Sequence, residues 1–399
     1  MRQILWMSAA ACVMATPALA DQTPAAPAAP APPAAPAPPA FSLGMNGPIT
    51  INPSPYVVKS DVLGDVTING AISGIALGQS HHVPGDHNAV GDVTNAQILI
   101  EKTDGLVQFF VDAGTYSFPT VGTAYTKSNH ITSSTFGSVP MAFIKIAPTS
   151  SFSIQAGKLP TLIGSEYNFT FENLNIERGL LWNQENLVSR GVQANYTVGP
   201  LAVSVSVNDG FYSNSLSWVS TLATWTVDSS NVIAFAAGGN TRKVYTSNSA
   251  TSPLWNNSQI YNLIYTHTAG AWTFVPYVQY TSVPALPGLH TTSGSTTGAA
   301  LFVNYVFPAS SSLSGFSLPT RVEYITTKGS KVSGPNLLYG VGSAAWSLTV
   351  TPTYQYKIYF IRGEASYVSA DKAAAGLAFG LTGMDKSQVR GLVEAGALF

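Results

Sequence analysis

The chain has 399 residues, a formal net charge of −1 and only 9% charged side chains. That balance gives no reason to expect a nucleic-acid partner. Its single cysteine, Cys12, falls inside an apolar N-terminal stretch, which excludes thiol catalysis, disulfides and cysteine-ligated metals from the chain that follows.

Residues 1–20 read as a secretory signal. Arg2 supplies the positive start, Ile4 to Met14 the apolar region, and Ala18-Leu19-Ala20 the small-residue cleavage site. That apolar region is too short to span a bilayer as a helix. Residues 21–60 form a linker whose core, Thr23 to Ala40, is almost wholly Pro and Ala. Such a run builds no core and favours an extended rod, reaching roughly 55 Å at about 3.1 Å per residue. It is either a periplasmic spacer, with peptidoglycan as a candidate partner, or a disordered leader. Beyond the signal, no apolar run is long enough for a membrane-spanning helix.

Residues 61–399 are strand-rich, with sixteen candidate strands running from 66–77 to 387–399. Alternation is clear in several. Val203, Val205 and Val207 alternate with Ser204, Ser206 and Asn208; Val107, Phe109, Val111 and Ala113 with Gln108 and Asp112; Val192, Ala194 and Tyr196 with Gln193 and Asn195. The joints sort strictly. Thr103-Asp104-Gly105, Pro148-Thr149-Ser150, Gly199-Pro200, Asp228-Ser229-Ser230, Ala269-Gly270 and Pro352 are tight, with 308–317 somewhat longer. The alternate joints are nearly all long: 78–93, 116–137, 160–189, 240–257, 284–297 and 370–386. Short turns on one side and long loops on the other predict a transmembrane, antiparallel, up-and-down β-barrel of about sixteen strands, with about 14 or 18 as alternatives. A soluble β-sandwich would alternate too, but would not sort its loops this way.

The last strand, from Gln388, places Val389, Gly391, Val393, Ala395 and Ala397 on one parity and Arg390 and Glu394 on the other, then ends on Phe399. Gram-negative outer-membrane barrels similarly close on a strand ending in Phe. The resemblance implies that Phe399 is an assembly signal, read by the outer-membrane assembly machinery and seated in the aromatic girdle. Further in the chain stand Ala156-Gly157-Lys158-Leu159-Pro160-Thr161, Phe171-Glu172-Asn173, Val188-Ser189-Arg190-Gly191-Val192, Val207-Asn208-Asp209-Gly210 and Arg362-Gly363-Glu364. With these motifs, the region from about Asp61 to Phe399 resembles the putative β-barrel porin-2, OmpL-like family. It implies an outer-membrane location, lipid and lipopolysaccharide around the barrel, passive transport of small hydrophilic solutes or ions, and a trimer or monomer.

Charges at period two point to the lumen, because lipid expels charge at mid-depth. Arg321 with Glu323, Arg362 with Glu364, and Arg390 with Glu394 are therefore expected to line the pore, together with Asp112. They either set up a transverse field that orients polar solutes or neutralise one another in the wall. The long loop after the fifth strand carries Glu166, Glu172, Glu177, Arg178 and Glu185, with Arg190 at its end. By analogy with general porins it folds inward as a constriction whose carboxylates favour cations; the alternative is an outer lid. His81, His82 and His87 share one loop without a carboxylate framework and are read as ordinary polar residues rather than a metal site. No nucleophile motif accompanies His267, so neither enzyme activity nor a cofactor is expected. The remaining alternative is a structural or adhesive barrel that tethers the cell wall without transport.

Overall fold

The computed structural model describes residues 47–52, 54–246 and 252–399. The signal segment, Cys12 and the Pro/Ala run lie outside the described residues. Sixteen antiparallel strands close into a barrel: β1 (Gly64–Gln79), β2 (Ala89–Lys102), β3 (Val107–Tyr116), β4 (Met141–Ile146), β5 (Phe152–Pro160), β6 (Val188–Val198), β7 (Leu201–Asn208) and β8 (Trp218–Thr226), followed by β9 (Asn231–Asn240), β10 (Gln259–Ala269), β11 (Trp272–Val283), β12 (Gly294–Tyr305), β13 (Thr320–Gly329), β14 (Ala344–Val350), β15 (Tyr359–Asp371) and β16 (Ser387–Leu398). Each strand pairs with its neighbours, and β16 returns to β1 with Leu392 opposite Leu77 and Leu398 opposite Ala71. Closure satisfies every ladder within the wall, which a strand in lipid requires.

The period-two pattern decides which face is which. On β7, Ala202, Ser204, Ser206 and Asn208 point inward and are buried, while Val205 and Val207 face outward. On β16, Gln388, Arg390, Leu392 and Glu394 point inward, and Val389 and Val393 outward. The barrel is thus mostly polar inside and apolar outside, the inverse of a soluble sheet. Its outer band carries aromatic side chains toward both ends: Tyr196, Trp225 and Trp272 near the turns, and Tyr261, Tyr280 and Trp346 near the long loops.

Two details depart from the sequence expectation. Pro352 does not make a turn. Register continues across it, Val350 opposite Ala365 and Thr353 opposite Arg362, and the chain turns at Lys357, whose φ is +54°. The missing N–H of a proline interrupts a ladder without ending the strand, so Thr353–Tyr356 resumes β14 and adds a two-residue strand, Phe316–Ser317, beside it. The folded unit also begins before residue 61. Tyr56–Ser60 pairs with the start of β1, and Ile49 is fully buried in an apolar cluster with Ala71, Leu99, Phe110, Phe360 and Leu398. Thr50 N–H donates to Gln355 Oε1 at 2.8 Å, and Gln355 Nε2 donates back to Thr50 O at 2.9 Å.

At the seam, Phe399 N–H donates to Gly70 O at 2.9 Å. A Cβ on Gly70 would stand 2.5 Å from the Phe399 ring, so only glycine lets the last side chain lie flat on β1.

Candidate functional site: a loop folded into the lumen

The loop between β5 and β6, residues 161–187, lies inside the barrel. Its shape is set locally. Asn173 accepts from Tyr167 N–H at 2.8 Å and donates to Tyr167 O and Phe169 O, while Glu172 Oε2 accepts from Phe169 N–H at 2.9 Å. These bonds close a tight bend in which Phe169 and Phe171 stack with centroids 5.9 Å apart. At the exit, the loop runs beside the β3–β4 connection: Arg178 N–H donates to Pro119 O and Val121 N–H to Arg178 O.

The charged wall of β13–β16 receives this loop. Glu323 accepts from Leu180 and Leu181 N–H at 3.0 and 3.3 Å. Glu364 accepts from Ile176 N–H at 2.6 Å and Glu177 N–H at 2.9 Å. Thr170 Oγ1 donates to Glu394 at 2.6 Å, and Arg362 Nη1 donates to Asn173 O at 3.0 Å. Four ion pairs complete the wall: Arg321–Glu166 at 2.7 Å, Arg321–Glu323 at 3.1 Å, Arg362–Glu394 at 2.6 Å and Arg390–Glu177 at 2.6 Å. Wall carboxylates thus hold loop N–H groups, and wall arginines hold loop carboxylates and carbonyls. Taking such charges out of water is offset only where close pairing is joined by further hydrogen bonds, as these loop contacts provide.

The far side of the loop reaches β10–β12. Gly164 N–H donates to Asn262 Oδ1 at 2.9 Å, Gln279 Nε2 donates to Leu181 O at 2.9 Å, and Tyr277 donates to Glu185 at 2.5 Å. Thr296 donates to Gln184. Leu162 and Ile163 pack with Trp218, Leu222, Ala236 and Ile260. The loop therefore crosses the lumen instead of hugging one wall.

The six wall charges Arg321, Glu323, Arg362, Glu364, Arg390 and Glu394 do face the lumen, but all are buried beneath the loop rather than bathed by water. Asp112 is likewise buried and accepts from Gln97 Nε2 at 2.9 and 3.1 Å. Among the loop residues, Glu166, Glu172 and Glu177 are not presented freely to a solute. Each is bonded as above, because the loop turns its carboxylates toward arginines and N–H groups. Arg178 is fully buried between rings, 5.8 Å from the Phe118 centroid and 5.3 Å from that of Trp182. Burial pushes its guanidinium down to about 10. Arg190 is not part of the loop. It stands on β6 at the loop-side rim, paired with Asp209 at 2.8 Å and lying over the Tyr212 ring at 3.9 Å. Asp209 comes from the Val207–Gly210 motif, so two of the motifs quoted from the sequence meet there. Among the described residues no group of three or more His, Cys, Asp or Glu could hold a metal ion.

Sequence reading missed a second wall. On β2–β7 the lumen face carries many uncharged amides and hydroxyls, with Glu101, Asp112 and Lys145 among them and Leu99, Phe110, Met141, Phe143 and Leu159 in an apolar cluster on the same face. Asn195 Nδ2 donates to Ser153 Oγ at 3.1 Å and to Gln155 Oε1 at 3.5 Å, and Gln193 Nε2 donates to Asn195 Oδ1 at 3.2 Å. Gln97 Oε1, Glu101 Oε2, Gln108 Oε1 and Gln155 Nε2 are buried without a protein partner. The alternation that revealed these strands also marked this face, but uncharged amides carry no sign of their own in a sequence.

A sequence model of the family described as putative beta-barrel porin-2, OmpL-like, matches residues 65–399. No curated protein matches the chain. Solved structures are similar in fold. The trimer form of in-vitro folded OmpT, an outer membrane protein of Vibrio cholerae, has a TM-score of 0.56 at 10% identity, covering 84% of this chain and 99% of that one. Salmonella typhi OmpF in complex with daunomycin gives 0.54 at 12% identity, with 86% and 100% covered. Pseudomonas putida OprB in its high-pH structure gives 0.54 at 9%, with 84% and 94% covered.

Proposed function

The chain belongs to the putative β-barrel porin-2, OmpL-like family, and on that premise we propose that it is a porin of the bacterial outer membrane, giving passive diffusion of small hydrophilic solutes and ions. The observation that carries this reading is the polar wall of β2–β7. Buried amide and carboxylate atoms there lack protein partners, and in a native fold such atoms are satisfied by water. A hydrated strip past these atoms, along Gln108, Gln155, Gln193 and Ser206, is the route a polar solute would follow; beside it Phe169 and Phe171 of the loop share an apolar cluster with Leu99, Phe110 and Phe143. The opposite wall, where arginines and carboxylates neutralise one another under the loop, supports the barrel and holds the loop inward. No catalytic role or cofactor enters this reading.

The surroundings follow from the same reading. Lipid and lipopolysaccharide contact the apolar band, and the Phe399 terminus is the element that the assembly machinery reads. Residues 1–20 direct export. A homotrimer is the proposed assembly, by analogy with the trimer form of the Vibrio cholerae protein.

The test is planar-bilayer conductance of the refolded protein, with reversal potential in a salt gradient. Stable open steps are expected, and Ser206→Trp, which narrows the polar wall, should lower them. A folded barrel that never conducts would overturn the porin reading in favour of a structural barrel tethered through its Pro/Ala run.

A further inference from the structure

Beneath the loop, on the turn side of the lumen, lies a cavity of about 120 Å³ against β8–β12. Its lining differs in kind from the polar wall. Leu222, Ala234, Ile264, Val275 and Phe302 come from consecutive strands, and Leu174 of the loop closes the roof. All five wall residues occupy the lumen parity, where a water-filled channel gains nothing from hydrocarbon: apolar surface facing water is disfavoured in proportion to its area. Four threonines, Thr224, Thr226, Thr266 and Thr273, border the same space. Thr226 and Thr273 lie nearest the turns, beside Val232, so the hydroxyls are grouped at the turn end of the cavity and most of the apolar surface lies farther from the turns.

The charge inventory is short. Glu166 is the one carboxylate on the lining, and it is committed to Arg321 Nη1 at 2.7 Å and to Gly179 N–H at 2.8 Å. An ion entering here would shed water without meeting a counter-charge. An uncharged molecule with an apolar body would lose no such hydration and would cover the exposed side chains. A cavity of this volume is close to the roughly 150 Å³ apolar cavity that accommodates benzene. We propose that this cavity is a binding site for a small uncharged molecule with a ring-sized apolar body and a hydroxyl at one end. The body would lie among Leu222, Ile264, Val275 and Phe302, and the hydroxyl would reach the threonines. The site goes beyond the polar route proposed above and does not depend on it, since a non-conducting barrel could bind the same molecule.

The experiment is fluorine NMR of para-fluorophenol with the full chain in lipid nanodiscs, empty nanodiscs serving as the partition control. Saturable broadening, competed by phenol and absent with para-fluorobenzoate, is the expected result. Ala234→Phe fills the cavity and should abolish the effect, while Val393→Phe, which adds the same ring on the outer face of β16, should leave it. Should Ala234→Phe fail to fold, Val275→Phe fills the same space from β11. No saturable broadening with the natural chain, equal broadening with the filled variant, or equal broadening by the carboxylate would each overturn the site. Binding is read without conductance, so a failure here and a failure of the porin reading remain separate results.

Discussion

Arg362 and Glu394 face each other across β15 and β16 at 2.6 Å, both side chains fully buried. Thr94, Thr170 and Ser73 also donate hydroxyls to Glu394. Two charges taken out of water stabilise little as a pair, but removing one leaves the other stranded. Arg362→Ala should therefore cost about 3–5 kcal/mol, read from urea unfolding of protein refolded in lipid vesicles. The double replacement by methionine should recover most of that loss. A cost below about 1 kcal/mol, the range of an exposed pair, would mean that water reaches the site. At the seam, Gly70→Val should displace the Phe399 ring and slow folding into vesicles, measured by heat-modifiable migration; unchanged kinetics would leave the ring's seat without a role in closure. The sequence made the parity of Arg362, Glu364, Arg390 and Glu394 legible, since period two alone puts them on one face. Their partners were not legible. Thr170, Asn173 and Glu177 reach them from a loop whose path depends on the whole wall.

Among elements, the lumen loop is the one that the folded barrel has to accommodate. Its backbone N–H groups are held by Glu323 and Glu364, and its carboxylates by Arg321 and Arg390. Deleting residues 168–184 exchanges those partners for lumen water, which solvates the wall charges instead of leaving them bare. The deletion should raise single-channel conductance while the barrel still folds; unaltered conductance would argue that the loop does not narrow the path. The segment before β1 makes a smaller closure at the other end. Ile49 sits among Leu99, Phe110, Phe360 and Leu398, held beyond that cluster by the Thr50–Gln355 bonds. Ile49→Asp places a carboxylate in that apolar cluster, and releasing the segment is the low-energy response. Limited proteolysis should then cut rapidly near residue 52, with the barrel band intact; an uncut chain would mean that the segment stays docked. All sixteen strands were legible as elements because alternation and joint lengths agree. Pro352 misled because a proline inside a hairpin and a proline in its turn look alike until the pairing register is known.

At the scale of the whole molecule, one rule assigns most strand residues to lipid or lumen, and it can be broken deliberately at adjacent positions. Val205 and Ser206 are neighbours near the middle of β7, Val205 exposed on the outer face and Ser206 buried on the inner. Both substitutions to arginine add the same charge and nearly the same bulk. On the outer face the guanidinium would meet hydrocarbon, at a cost of about 2–4 kcal/mol near the bilayer midplane. On the inner face it would meet the hydrated strip, where amides and water can solvate it. Val205→Arg should thus destabilise the vesicle-refolded barrel with little effect on the selectivity of molecules that do fold. Ser206→Arg should leave unfolding nearly unchanged and move the reversal potential toward anion preference. The two readouts cross, so neither a general fragility of β7 nor a general effect of added charge could produce the pair. Equal destabilisation by both would mean that the interior of β7 is dry, and the polar route would have to be sought elsewhere in the lumen.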